Sequence, residues 1–205
     1  VPNISQVQVG ASDKVTFDSA LRSILRHDPD VVMIGEIRDL STADIALKAA
    51  LTGHLVFSSL HTNTAIGAVT RLMDFGCEPY LVSATLVGAI SQRLVRRLCP
   101  ACREEVDVDD ANRALLGDHE LKRNFKSVGC PQCLGTGYSG RIGLFECFWT
   151  GEETRELISN GAGEHEISRV GGDLHKTMFR DGLDKVSLGL TSLEEVIGVT
   201  IGASI

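Results

Sequence analysis

Two short apolar runs with a helical stretch between them do most to limit how this chain can fold. Val31-Val32-Met33-Ile34 and Leu55–Ser59 are rich in β-branched and aromatic residues and read as strands buried on both faces. Between them, Ser41–Thr52 reads as a helix with Ala43, Ala46, Leu47, Ala50 and Leu51 on its inner stripe and Gly53 just past its end. Strand, helix, strand in that order implies parallel strands joined by a right-handed crossover. The expected class is α/β, a parallel sheet with flanking helices.

The remaining elements are expected around that unit. Ser5–Val9 alternates polar and apolar residues and reads as a short strand. Thr16–His27 reads as a helix that begins near Thr16 or Asp18 and is stopped by Asp28-Pro29-Asp30. Arg22 and Arg26 share one of its faces at i, i+4 spacing. Further helices are expected at Ala65–Phe75 and Tyr80–Leu98. Cys99–Cys133 has a polar middle with little periodicity, and Gly135–Gly143 reads as a glycine-rich loop. Helices return at Glu152–Ser159, Glu164–Val170, Leu174–Asp181 and Ser192–Thr200, the last capped by Thr191 or Ser192.

Composition narrows the function. A chain of 205 residues, 43% apolar, holds one large domain or two small ones. A net charge of −7 argues against nucleic acid as the main partner, because phosphate binding favours a basic face. No apolar run approaches the roughly 20 residues that span a bilayer. There is no signal peptide, and the first residue is Val, so the sequence reads as a fragment or a processed product. Six cysteines in an acidic, enzyme-like chain favour metal or reduced thiols over disulfides.

Four of those cysteines are paired. Cys99-Pro100-Ala101-Cys102 and Cys130-Pro131-Gln132-Cys133 are two C-x-x-C knuckles, each able to offer two thiolates to one ion. Together they complete a tetrahedral sulfur shell suited to structural Zn²⁺, with no open coordination position. A redox dithiol needs one such pair, so the duplication favours metal. Cys77 and Cys147 are single and read as ordinary buried residues.

The strand ends carry the candidate chemistry. Val31–Ile34 stops at Gly35 and then Glu36, and ligands of α/β proteins bind at the carboxyl ends of strands. An acid there can hold Mg²⁺ or orient a water in a nucleotide hydrolase; a surface Glu after a buried strand fits the residues equally. His61 falls on the same rim past the second run, where an imidazole can sense a phosphate, although a satisfied polar group is the commoner role. Arg22, Arg26, Arg38 and Arg71 have the fork geometry that suits phosphoryl transfer, and each also suits a solvated ion pair. Arg93, Arg96 and Arg97 form a basic cluster before the cysteines, read as a solvated face that could brace a nucleotide domain. The sequence contains no G-x-x-x-x-G-K-[ST], so a phosphate-gripping loop with its lysine would have to lie upstream.

These segments resemble a known family. LRSILRHDPDVVMIGEIRDLSTADIALKAALTGHLVFSSLHTNTAIGAVTRL, QRLVRRLCPAC, GCPQCLGTGYSGRIGLFE and LTSLEEV together are similar to the C-terminal half of the ATPases of type II secretion and type IV pilus assembly. The His61–Leu72 stretch and the four-cysteine insertion favour the type II branch. The resemblance implies residues 1–98 as part of a RecA-like core, 99–141 as a zinc subdomain on Cys99, Cys102, Cys130 and Cys133, and 142–205 as a C-terminal helical subdomain. It implies Ile34-Gly35-Glu36 as a Walker B end with Glu36 as catalytic glutamate, and Gly53–His61 as a histidine box. His61, Arg22, Arg26, Arg38 and Arg71 are then catalytic, and Gly35, Gly53 and His54 bind the nucleotide. The implied cofactors are structural Zn²⁺ and, in a full-length enzyme, ATP with Mg²⁺. The implied partners are further copies in a hexameric ring and an inner-membrane platform protein reached through an upstream N-terminal domain, with no nucleic acid. The implied location is the cytoplasmic face of the inner membrane. A zinc-stabilised interaction module without catalysis is the alternative, but it leaves Glu36 and His61 unexplained. A nucleic-acid-binding zinc ribbon is disfavoured by the acidic charge.

Overall fold

The computed structural model describes residues 4–9, 16–117 and 119–200. They fall into two compact units, Val1–Ala89 with Trp149–Gly172, and Ile90–Phe148 with Asp173–Ile205.

The first unit opens with helix α1 (Phe17–Leu25), where the Thr16 hydroxyl accepts from the Ser19 N–H at 3.2 Å. Strand β1 (Val31–Ile34), helix α2 (Leu40–Leu51) and strand β2 (Leu55–Ser58) follow, with β1 and β2 parallel and Val31 opposite Leu55. Asp39 caps α2 by accepting from the Thr42 N–H at 2.8 Å. The chain leaves α2 through Gly53, whose φ of +104° is strained for any residue with a Cβ. Helices α3 (Gly67–Asp74) and α4 (Pro79–Thr85) complete this stretch.

The chain then runs through β3 (Gly88–Leu98), β4 (Glu104–Glu105), α5 (Asp110–Leu116), β5 (Phe125–Lys126) and β6 (Tyr138–Trp149). It returns to the first unit for α6 (Glu152–Ser159) and α7 (Glu164–Val170), and finishes in the second with β7 (His175–Lys176), α8 (Met178–Ser187) and α9 (Leu193–Thr200). Buried Ala43, Ile66, Val69, Val82, Ile158 and Ile167 make the first core. There Ser83 and Arg155 trade side chain-to-carbonyl hydrogen bonds of 2.8 and 2.6 Å, tying α4 to α6. In the second unit the strand order is β3-β6-β7, and β6 and β7 run antiparallel. Val95, Leu144, Met178, Leu183, Val186, Leu193 and Val196 form its core.

Several expectations give way. The strands β1 and β2 are not buried on both faces: Val32 and Ile34 are covered, but Val31, Met33, Leu55 and Phe57 are about half exposed or more, Met33 at 80%. A two-stranded sheet is covered on one face by the helices of this unit, and the described residues supply nothing for the other. In α2 the buried set is Thr42, Ala43, Ile45, Ala46, Leu47 and Ala49, while Leu51 is exposed, so the inner stripe turns away from the expected one at its end. Residues 4–9 form no strand. The helix expected over Tyr80–Leu98 ends at Thr85, and Gly88–Leu98 is β3; its apolar spacing suits either structure, and pairing with β6 decides. Likewise Tyr138–Gly143, expected as loop, begins β6, and the helix expected from Leu174 starts only at Met178, after β7. The polar middle of Cys99–Cys133 holds α5, capped by Asp109.

Candidate functional site

The carboxyl ends of β1 and β2 form one rim because the strands are parallel. Two hydrogen bonds join the turns beyond them: the Ile37 N–H donates to the Ser59 carbonyl at 3.0 Å, and the Ser59 hydroxyl donates to the Gly35 carbonyl at 2.6 Å. This stitching sets Glu36 beside His61. The Glu36 carboxylate accepts from Arg38 Nη2 at 2.5 Å through one oxygen and pairs with His61 Nε2 at 3.1 Å through the other. Its own side chain is 29% exposed, whereas Arg38 and His61 are 73% and 82% exposed. The Arg38 guanidinium first, and His61 second, hold the Glu36 carboxyl below the usual carboxylate range. The result is an acid kept ionised, with two donors reaching outward beside it.

Among the described residues no other candidate side chain bonds to this group. Arg22 makes a bidentate pair with Asp18 at 3.0 and 3.1 Å, and Asp18 also accepts from the Ser41 hydroxyl. Arg26 is exposed, and the Arg71 guanidinium stacks 4.5 Å from the centre of the Phe75 ring. Gly53 and His54 sit at the opposite end of β2 from His61; there His54 Nδ1 contacts the Ala49 carbonyl at 3.0 Å and closes the end of α2. Gly35 lies on the rim, exposed.

The second unit holds the four-cysteine group. Cys99 and Cys102 follow β3, and Cys130 and Cys133 bracket a 3₁₀ turn, Pro131–Cys133. Their sulfurs all lie within 4.8 Å of one another, with pairs at 3.7, 3.8 and 4.0 Å. A tetrahedral ion with Zn–S bonds of about 2.3 Å needs sulfurs about 3.8 Å apart, so the donor set fits. The knuckles are locked by the Cys99 N–H donating to the Gly137 carbonyl at 2.9 Å. Gly137 has φ +75°, and a Cβ there would strike Ser127. Burial pushes the Cys133 thiol up, but the N–H groups of Cys130 and Gly137, each 3.2 Å from Sγ, pull it down to about 6. Burial and the neighbouring thiols push Cys102 up to about 11. Four crowded thiols ionise together only around a cation, and these residues can hold a metal ion. Cys77 is buried and Cys147 half-buried, as single packing residues are.

One arrangement escaped the sequence reading. Thr64, in the loop beyond His61, donates its hydroxyl to the Glu164 carboxylate on α7. Partners so far apart in the chain leave no local pattern to find.

Comparison with known proteins agrees with this architecture. The family described as Type II/IV secretion system protein matches residues 1–198. The chain is 50% identical over 203 residues to the Type II secretion system ATPase E of Vibrio cholerae, covering 98% of this chain and 40% of that protein. It is 47% identical to the Type IV pilus assembly ATPase PilB of Thermus thermophilus, covering 98% of this chain and 23% of that one. The chain thus spans less than half the length of these relatives. A crystal structure of the pilus retraction motor PilT with bound ADP superposes with a TM-score of 0.64 at 29% identity, covering 92% of this chain and 45% of that one. The fold is the α/β fold of these secretion ATPases, and the chain belongs to the Type II/IV secretion system protein family.

Proposed function

We propose that this chain is part of a longer ATPase that powers type II protein secretion, building a pilus-like filament at the bacterial inner membrane. The observation that carries the reading is the Glu36 carboxylate held between Arg38 and His61 on the strand rim. When bound, ATP with Mg²⁺ supplies the phosphoanhydride to be cleaved. Glu36, ionised and already paired, serves better to orient the attacking water by accepting its hydrogen bond than to remove its proton outright. His61 keeps the carboxylate turned along the rim, and its exposed ring can meet a terminal phosphate. Arg38 balances the acid's charge. Arg22, Arg26 and Arg71, off this group, are the candidates for nucleotide contact across a ring of identical subunits, six in this reading. Gly35 would let the backbone approach the nucleotide, with Gly53 and His54 supporting from the far end of β2.

Zn²⁺ on Cys99, Cys102, Cys130 and Cys133 is structural in this reading, because four thiolates leave no position for substrate. Residues 1–98 then act as part of the RecA-like core, 99–141 as the zinc subdomain and 142–205 as the C-terminal helical part. Further copies of the chain and an inner-membrane platform protein are the partners in this reading, and the net charge of −7 argues against nucleic acid. The site of action is the cytoplasmic face of the inner membrane; no helix among the described residues is long and apolar enough to cross a bilayer. The 47% identity to a pilus assembly ATPase keeps pilus extension as the second reading.

The test is Glu36→Gln in the full-length protein. Nucleotide binding should persist while hydrolysis falls by about 100-fold or more, the scale of removing one group that acts on the reacting atoms. In the same assay the 205-residue chain alone should turn over negligibly. Full hydrolysis by the Gln variant would remove Glu36 from the mechanism.

A further inference from the structure

The loop that carries His61 is tied to a helix contributed from a distant part of the chain. Beyond β2 the backbone runs through His61, Thr62, Asn63 and Thr64 before α3 begins at Gly67. Thr64 is the knot of this loop. Its hydroxyl oxygen accepts from the Gly67 N–H at 3.0 Å, and the same hydroxyl donates to the Glu164 carboxylate in the first turn of α7. The Thr62 hydroxyl donates to the Thr64 carbonyl at 2.9 Å, which fixes the segment nearer His61. Gly67 leaves no spare room: a Cβ there would lie 2.7 Å from Thr64 Oγ1 and 3.6 Å from Glu164 Oε2. Directly behind, Ala65, Ile66 and Val69 are at most 2% exposed, and Ile167, one turn along α7 from Glu164, is fully buried. The base of the loop is therefore anchored, while the His61 ring itself is exposed and pairs with Glu36.

We propose that Glu164 is a positioning residue: through the Thr64 hydroxyl it fixes the path of the 61–66 loop and so holds the His61 ring against Glu36. An exposed imidazole on an untethered loop samples many rotamers, and a displacement of about 1 Å in a positioned group can cost about 100-fold in rate. Glu164 touches neither substrate nor the reacting atoms. Its effect passes through one hydrogen bond to the loop, and it should appear in turnover more than in binding. The inference rests on the hydrolase reading above for its kinetic consequence, and on the geometry alone for its structural one.

The test has two arms. In the full-length protein, Thr64→Val and Glu164→Ala should each lower kcat for ATP about 10-fold or more with KM changed less than about threefold, and the double variant should be no worse than either single. Thr64→Ser and Glu164→Gln keep a donor and an acceptor for the bond and should stay within about threefold of wild type. Unchanged kcat in Glu164→Ala, alongside an inactive Glu36→Gln, overturns the positioning role. Activity of Glu36→Gln equal to wild type removes Glu36, and with it the reason to position His61, from the mechanism instead. The second arm needs no turnover: in the 205-residue chain, the NMR resonances of the His61 ring should move in Glu164→Ala while those of His54 stay. His61 resonances that stay in place overturn the inference even where the hydrolase reading stands. Glu164 is half-buried at a helix start, so its Ala variant keeps the test readable even if Thr64→Val perturbs the fold.

Discussion

The cysteine group of the second unit and the acid rim of the first are built to opposite ends. Every donor of the cysteine group comes from this chain, the four sulfurs converge within 4.8 Å, and two of the residues are buried. The rim offers one carboxylate with two largely exposed partners, and its other candidate cations are spread over α1 and α3. A site that closes on its own ligands stabilises the fold around it. A site whose charged groups face outward is arranged for something that arrives. The cost of disturbing each should differ in kind, in folding for the first and in chemistry for the second.

The largest effect expected is that of denying the four cysteines a metal ion. Structural zinc sites contribute on the order of 10 kcal/mol to folding, so a strong chelator, or Cys99→Ser, should unfold the second unit while the first retains its helices. Circular dichroism with limited proteolysis, read at the arginines of each unit, would show this; a second unit that stays protected without metal would break the contrast. A smaller effect isolates ordinary packing in the same unit. A Cβ at Gly182 on α8 would drive into the branched side chain of buried Val196 on α9. Gly182→Ala should therefore cost about 1–3 kcal/mol, seen as a lower melting temperature with the four cysteines unaltered.

The smallest effect on stability comes from Arg38→Ala, which should be read in the pH dependence of the chemistry. Arg38 is the first cause of the low Glu36 pKa, so its removal lets that value rise toward the ordinary Glu range of about 4.3. In the proposed mechanism the ionised carboxylate is the working form, and it is lost as pH falls through the pKa. The acidic limb of the rate profile should then move to higher pH, while the melting temperature near neutral pH stays where it was, as expected for an exposed pair. An acidic limb that does not move would detach Arg38 from the acid.

Much of this was legible in local sequence. Val31–Ile34 and the helices Glu152–Ser159 and Glu164–Val170 fall where the pattern puts them, because their apolar spacing and flanking breakers agree with their packing. The four cysteines were legible because metal geometry imposes short, repeated spacing. Gly88–Leu98 was not: Ile90, Leu94, Val95 and Leu98 satisfy a helical stripe as well as a strand, and the deciding partner, β6, begins far along the chain at Tyr138. The open face of β1 and β2 was also hidden, since Val31 and Met33 are as apolar as their buried neighbours Val32 and Ile34. At the rim, Glu36 and His61 were found by their place after apolar runs. Glu164 was not, because between it and Thr64 the chain leaves the first unit for the whole of Ile90–Phe148.

That the first unit is built from two stretches, the later one beginning at Trp149, has a consequence for biogenesis. Translation delivers a chain from its N-terminus, and domains fold as their residues emerge. All four thiols of the cysteine group leave the ribosome before α6 and α7 are synthesised. A nascent chain can thus load its ion while the unit bearing Glu36 still waits for the helices that finish its core. If the cluster takes up a metal ion, its supply during synthesis would act before the first unit is complete, and a shortage would leave chains arrested half-built rather than finished molecules lacking an ion.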